Sequence, residues 1–224
     1  MQKNEVEIFY PTSQTMWRKW LQDNHISKQA VWLVFYNKKS KIKSITWSEA
    51  VDEALCFGWI DSKKISIDKE TSHQFFSKRK PKSTWSKINK EKIERLIEQG
   101  LMTEQGFASI ETAKQNGSWT ILDEVEELII PADLEEVFIE KPNAKEYFLS
   151  LSKSVRKIIL SWLVFAKTTE TRQKRITEII ESAEQNQKEL IAFRPQVNRQ
   201  RNKSLLLRIV SRQRLVGLCV AANA

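Results

Sequence analysis

The sequence predicts an α+β protein: a small antiparallel sheet packed by helices, followed by a C-terminal helical subdomain. Three observations carry that prediction. Residues 30–36 (AVWLVFY) form a run of β-branched and aromatic side chains, the pattern of a buried strand. Residues 59–67 and 72–79 are two further extended stretches, joined by the polar turn Asp68-Lys69-Glu70-Thr71 and closed by Pro81. From Asp123 onward the apolar spacing is helical throughout.

The elements follow in order. Residues 13–24 (SQTMWRKWLQDN) predict a short helix with Met16, Trp17, Trp20 and Leu21 on one side. After the strand at 30–36, Lys38 to Lys43 form a basic turn. Thr46-Trp47-Ser48-Glu49 is a capping box, in which the threonine hydroxyl takes an orphan amide and the glutamate reaches back. The helix it opens is expected to bury Trp47, Ala50, Val51, Ala54 and Leu55, and Gly58 ends it. Ser86 or Asn89 can cap a helix running to Gln99 and stopped by Gly100, and Thr103–Asn116 is a further helix stopped by Gly117. Pro131 and Pro142 each open a short helix. Residues 152–167 carry an apolar stripe, and 170–185 set Ile176, Ile179, Ile180 and Ala183 opposite a charged face, with Thr169 as expected cap. The expected organisation is a mixed α/β domain over 1–127, a helical subdomain over 128–188 and a basic tail over 189–224.

Composition excludes several chemistries. Among 224 residues there are five glycines, too scattered for a dinucleotide fingerprint or a phosphate-binding P-loop. Two histidines, His25 and His73, cannot make a histidine-rich metal motif, and Cys56 and Cys219 make neither a disulfide framework nor a paired-cysteine unit. No metal, cofactor or catalytic residue is therefore assigned. The stretch MQKNEVEIFYPTSQ carries two glutamates and no apolar run, so no secretory signal is expected. No membrane span is expected either, and the cytoplasm is the expected compartment. The net charge of +9 is uneven: residues 191–224 hold seven cations and no acid, which leaves +2 for the first 190 residues.

Four segments carry a family resemblance: NHISKQAVWLVFYNKKS (24–40), ITWSEAVDEALCFGWIDSKK (45–64), FFSKRKPKSTWSKINKEKIERLIEQGLM (75–102) and AKTTETRQKRITEII (166–180). Together, over residues 8–188, they resemble the YdeI/OmpD-associated, or bacteriocin-protection, family. The resemblance implies a bacterial protein linked to survival against antimicrobial peptides, without a defined reaction.

The segment Arg79-Lys80-Pro81-Lys82-Ser83-Thr84-Trp85-Ser86-Lys87-Ile88-Asn89-Lys90 runs off a strand into a helix start, where orphan amides favour an anion. In one reading Arg79, Lys80 and Lys82 supply charge, Ser83, Ser86 and Asn89 supply donors, Trp85 stacks on a ring, and Trp59 and Asp61 assist. The ligand would be an anionic or phosphate-bearing small molecule; single-stranded nucleic acid is a lesser alternative. In the plainer reading Ser86 caps the helix, Trp85 packs in the core and the lysines are solvated.

Other candidates have similar alternatives. Asp61 can pair with Lys63, Lys64 or Arg79, or serve as a pocket carboxylate. Cys56 shares a helix face with Glu49, Asp52 and Glu53, which disfavours a reactive thiolate. His25 and His73 are general-base candidates without motif partners. Arg172 and Arg175 begin the last helix, or complete a basic cleft with Arg79. The tail alternates apolar and basic clusters, compatible with lipid or nucleic-acid contact or with a functionless extension. The expected function is a non-catalytic protective protein that binds an anion at 79–90; a nucleic-acid binder and an enzyme of unrecognised type are the alternatives.

Overall fold

The computed structural model of the chain describes residues 6–185; the basic tail and Cys219 lie outside them. The described residues divide into two compact units, one comprising 6–83 with 88–116 and the other 84–87 with 117–185. No helix among them is long and apolar enough to cross a membrane.

The first unit is built on a four-stranded mixed sheet in the order β1-β2-β4-β3, with β1 at Ile8–Phe9, β2 at Ala30–Tyr36, β3 at Trp59–Ser66 and β4 at Thr71–Lys78. The β2–β4 and β3–β4 pairings are antiparallel, in keeping with the small antiparallel sheet expected. The β1–β2 pairing is parallel, which the sequence does not reveal. A two-residue strand is too short to carry a period, so only its neighbour identifies it.

Register sorts the side chains. On β2 and β4, Val31, Leu33 and Phe35 share a face with Ser72, Gln74 and Phe76, while Trp32 and Val34 share the other with His73 and Phe75. Helix α1 (Gln14–Asn24) and helix α2 (Trp47–Cys56) serve the first face: Trp17 meets Phe76 at 5.6 Å between ring centroids, and Trp20 meets Trp59 at 5.8 Å. Trp17 Nε1 donates to the Ala50 carbonyl at 3.0 Å, which satisfies a polar atom that packing would otherwise orphan. Strand β3 is interrupted between Asp61, opposite Phe76, and Lys64, opposite Gln74. Three steps on β3 match two on β4, so a bulge places Asp61 and Lys64 on the same face.

Both ends of α2 are fixed. Thr46 accepts from the Glu49 amide while the Glu49 carboxylate accepts from the Thr46 amide at 2.7 Å. At the C-terminal end the Cys56 carbonyl accepts from both the amide and the hydroxyl of Thr103, the cap of α4 (Glu104–Gln115). A Cβ on Gly106 would stand 2.3 Å from that same carbonyl oxygen, so the contact requires glycine in the first turn of α4. Helix α3 (Lys87–Glu98) starts directly after Ser86. It returns Lys92 and Arg95 to Asp52 at 2.5 and 2.6 Å.

The second unit is helical: α5 (Asp123–Glu126), α6 (Ala132–Glu140), α7 (Pro142–Ser150), α8 (Lys153–Val164) and α9 (Thr169–Glu184). Its core joins Leu134 and Phe138 of α6, Ala144 and Phe148 of α7, Ile159 and Leu163 of α8, and Ile176, Ile179 and Ile180 of α9. The cap of α9 is Thr168, whose hydroxyl accepts from the Thr171 amide, one residue before the expected Thr169. Pro142 occupies the tolerated first turn, whereas Pro131 stands at the N-cap position itself.

Candidate functional site

The structure places the residues expected around position 80 in different environments. Trp59 and Trp85 are each 1% exposed. Trp85 packs against Trp119 with centroids 5.0 Å apart, and neither Trp59 nor Trp85 offers a stacking face to solvent. Lys80 and Lys82 are exposed, whereas Arg79, Ser83, Ser86 and Asn89 are half-buried. The Ser83 amide donates to the Lys80 carbonyl at 2.9 Å, making a turn around Pro81. The Arg79 amide donates to the Gly58 carbonyl at 2.9 Å. Burial pulls the Arg79 guanidinium down to about 10 against the opposing charge of Asp61, and it remains cationic at neutral pH. Within the segment, Arg79 to Ser83 and Ile88 to Lys90 belong to the sheet unit and Thr84 to Lys87 to the helical unit.

Asp61 leads to a better-formed site. Its carboxylate accepts from Trp47 Nε1 at 2.9 Å and from Gln74 Nε2 at 3.0 Å. Trp47 and Gln74 both line a cleft of about 520 Å³ inside the sheet unit. The ends of β2 and β4 supply Phe35, Tyr36, Ser72 and Gln74; β3 supplies Lys64; the connection into α2 supplies residues from Asn37 to Trp47, including Lys38, Lys43 and Ser44. Trp47, expected in the core, is 50% exposed. Helical spacing puts it in line with Ala50 and Ala54, but as the first residue of α2 it lies beyond the packed part of the stripe. Its N–H edge is instead held by a carboxylate.

Each neighbour in the cleft has a local cause. The Asn37 side-chain oxygen accepts from the amides of Lys39 and Ser40, folding the basic turn so that Lys38 lines the cleft. The Tyr10 hydroxyl donates to the Lys43 carbonyl, anchoring the far end of the turn. Tyr36 is braced edge-on by Tyr10 at 5.3 Å. Gln74, only 5% exposed, also donates to the Ser62 carbonyl at 3.3 Å across the bulge. Among the described residues Lys38, Lys43 and Lys64 have no ion-pair partner. The basic turn is legible in the sequence, but its link to Lys64 and Gln74 is not. The signal available was the coincidence of that turn with a capped tryptophan; the bulge that completes the set leaves no mark in composition.

The nucleophile and base candidates are not assembled into a catalytic group. Cys56 is buried, and burial together with the Glu53 charge pushes its thiol up to about 11, so it is protonated at neutral pH. Glu53 pairs with Arg18 at 2.7 Å and accepts from Gln14 at 2.7 Å. His25 Nδ1 is 2.8 Å from the Leu21 carbonyl, a helix-end contact. His73 is 0% exposed, and neither ring nitrogen has a partner among the described residues. Burial lowers its pKa from the ordinary value. In the helical unit Arg172 forks onto Asp133 at 2.5 and 2.8 Å, and the Arg175 guanidinium lies 4.9 Å from the Trp162 ring centroid. Both arginines thus serve contacts internal to that unit. A second cavity, about 400 Å³, is lined by Asn143, Glu146, Tyr147, Ser150, Ala183 and Glu184. No group of three metal-ligating side chains occurs among the described residues.

These features define an α+β protein with a helical C-terminal part. Residues 127–186 match the family model described as "Bacteriocin-protection, YdeI or OmpD-Associated", bearing out the family resemblance over that stretch. Residues 9–109 match a model described as a domain of unknown function (DUF8412). Of the four segments that suggested the family, the one at 166–180 lies inside the bacteriocin-protection match. Those at 24–40, 45–64 and 75–102 lie inside the other. The sheet unit with its cleft is therefore covered by a different model from the helical one. No curated protein and no solved structure matches the chain.

Proposed function

We propose that the chain is a non-catalytic, cytoplasmic binding protein, acting in protection against bacteriocins, whose sheet unit takes an anionic small molecule in the cleft between the 37–47 connection and strands β3 and β4. One observation carries this reading: three lysines without ion-pair partners among the described residues line a single cleft walled by Tyr36 and Trp47. Lysines that project from separate convex surfaces are solvated individually. Lysines that share a concavity raise the local potential together and favour a negative guest. The volume lies in the range of small-ligand sites, roughly 300–1,000 Å³.

The segment 79–90, where the sequence suggested the anion would bind, contributes cations but no open ring, and so supports the reading less well than the cleft does. A nucleic-acid site needs exposed rings interleaved with cations along a groove. Here the ring at position 85 is sealed, and the basic tail lies outside the described residues. Direct capture of a cationic peptide in the cleft is opposed by like charge.

The test is thermal shift against a panel of small carboxylates and phosphates, comparing the wild type with a Lys43→Glu/Lys64→Glu variant. A ligand present at about 100 times its Kd stabilises the native state by roughly 2.7 kcal/mol. Compounds that raise the wild-type melting temperature are expected to leave the variant unshifted. Equal shifts in both proteins would remove the cleft as the binding place.

A further inference from the structure

We infer that the cleft selects a small aromatic anion, a planar ring bearing one acidic group, and that Trp47 reads the ring. This rests on the assignment of the cleft as the anion site and narrows it.

Trp47 differs from the buried tryptophans of the chain. Trp17, Trp20, Trp32, Trp59 and Trp85 are all sealed in the interior, whereas half of Trp47 faces outward. Leaving that apolar area wet forgoes stabilisation that burial would supply. Yet the side chain is not loose, because Asp61 fixes its N–H edge at 2.9 Å and α2 fixes its backbone. A ring held by its edge and open over its remaining surface is a platform whose ordering cost is met before a guest arrives. Tyr36, braced by Tyr10, is a second lining ring held in the same manner.

Lys38, Lys43 and Lys64 reach the cleft on long flexible stems, from the turn on one side and from β3 on the other. Asp61, bonded to the lining residues Trp47 and Gln74 but not itself in the lining, sets a negative charge behind the ring of Trp47. A guest with its acid among the lysines and its neutral ring toward Trp47 meets the lysines without setting charge against Asp61. A polyanion would set charge against Asp61, and a bare inorganic anion would leave the rings uncovered.

The experiment is fluorescence titration with 8-anilinonaphthalene-1-sulfonate as the aromatic anion. N-phenyl-1-naphthylamine serves as the same ring system without charge, and inorganic phosphate as charge without a ring. The sulfonate is expected to bind at least about tenfold more tightly than the amine, a difference of about 1.4 kcal/mol. Millimolar phosphate is expected not to displace it. Trp47→Leu, checked for folding by circular dichroism, is expected to weaken it at least about tenfold, with Trp47→Phe intermediate. Equal affinity for the amine, or an unaffected Trp47→Leu variant, overturns the inference. Displacement by phosphate overturns it too, while leaving the broader anion reading intact. If Lys43→Glu/Lys64→Glu binds the sulfonate as the wild type does, the cleft assignment itself falls.

Discussion

The sheet unit and the helical unit handle charge differently. In the sheet unit two adjacent carboxylates of α2 are buried and locked: Asp52 between Lys92 and Arg95 of α3, Glu53 between Gln14 and Arg18 of α1. In the helical unit the ion pairs Lys145–Glu135, Lys157–Glu126, Arg172–Asp133 and Lys141–Glu184 lie toward the surface of an aliphatic and phenylalanine core. Buried pairs fix geometry because breaking one strands the other charge; outward pairs shift without structural consequence. The sheet unit therefore holds its helices in one arrangement around the sheet, and three lysines without an ion-pair partner among the described residues line its cleft. Rigidity and uncompensated charge in the same unit are what a binding site requires.

The sharpest probes of this contrast are core substitutions. Phe138→Ala, at a fully buried position against Phe148, is expected to cost about 3–5 kcal/mol. Chemical denaturation followed by circular dichroism measures it, and 8-anilinonaphthalene-1-sulfonate binding at the cleft is expected to persist under native conditions. Next comes Asp52→Ala, which strands Lys92 in a nearly closed environment and is expected to cost about 3 kcal/mol. The matched change Arg172→Ala, in a pair about one-third exposed, is expected to cost about 1 kcal/mol. If the two changes cost the same, the contrast between the units fails. Gly106→Ala is expected to lose about 1–3 kcal/mol, because the added carbon meets the Cys56 backbone, which cannot give way as the nearby Met102 side-chain end can.

A pH series separates the units in another way. His73 is buried on β4 with its pKa lowered by desolvation, and the Asp68 charge only partly opposes this. The unfolded chain therefore takes up the proton first. The neutral form's contribution is complete above the ordinary histidine value of 6.5 and is lost as pH falls below it toward the lowered native value. Thermal melts between pH 7.5 and about 5 are expected to show this loss in the wild type and to show less of it in His73→Leu. The smallest expected effect is spectroscopic. Asp61→Ala releases the Trp47 indole and is expected to shift the emission slightly to the red, while the loss of two hydrogen bonds, about 1 kcal/mol each, and of the charge opposing the burial of Arg79 lowers stability alongside it.

Much of the architecture was legible in the residues. The capping box at Thr46, the 30–36 run and the Asp68–Thr71 turn each state a local preference that the fold keeps. What was not legible depended on pairing. The parallel β1 strand is defined by Trp32 and Leu33, not by its own two residues. Trp47 satisfies the apolar spacing of α2 yet stands outside the core, because periodicity does not show where a helix loses its neighbours. For the site, the sequence named Asp61 and the basic turn, but linked Asp61 to position 80 and left the turn unassigned. The register that joins Asp61, Lys64 and Gln74 on one face is a property of two strands together.

The irregularity in β3 also makes chemistry separable from architecture. The bulged pairing decides which side of the sheet Lys64 occupies, while the ladder on either side of it is ordinary. Deleting Ser62 or Lys63 would let the strand run straight with Asp61 and Lys64 two residues apart and still on one face, whereas the same residues paired without the bulge would turn Lys64 to the opposite surface. A lineage can thus lose that one codon and keep both the scaffold and the shared face of these two charges.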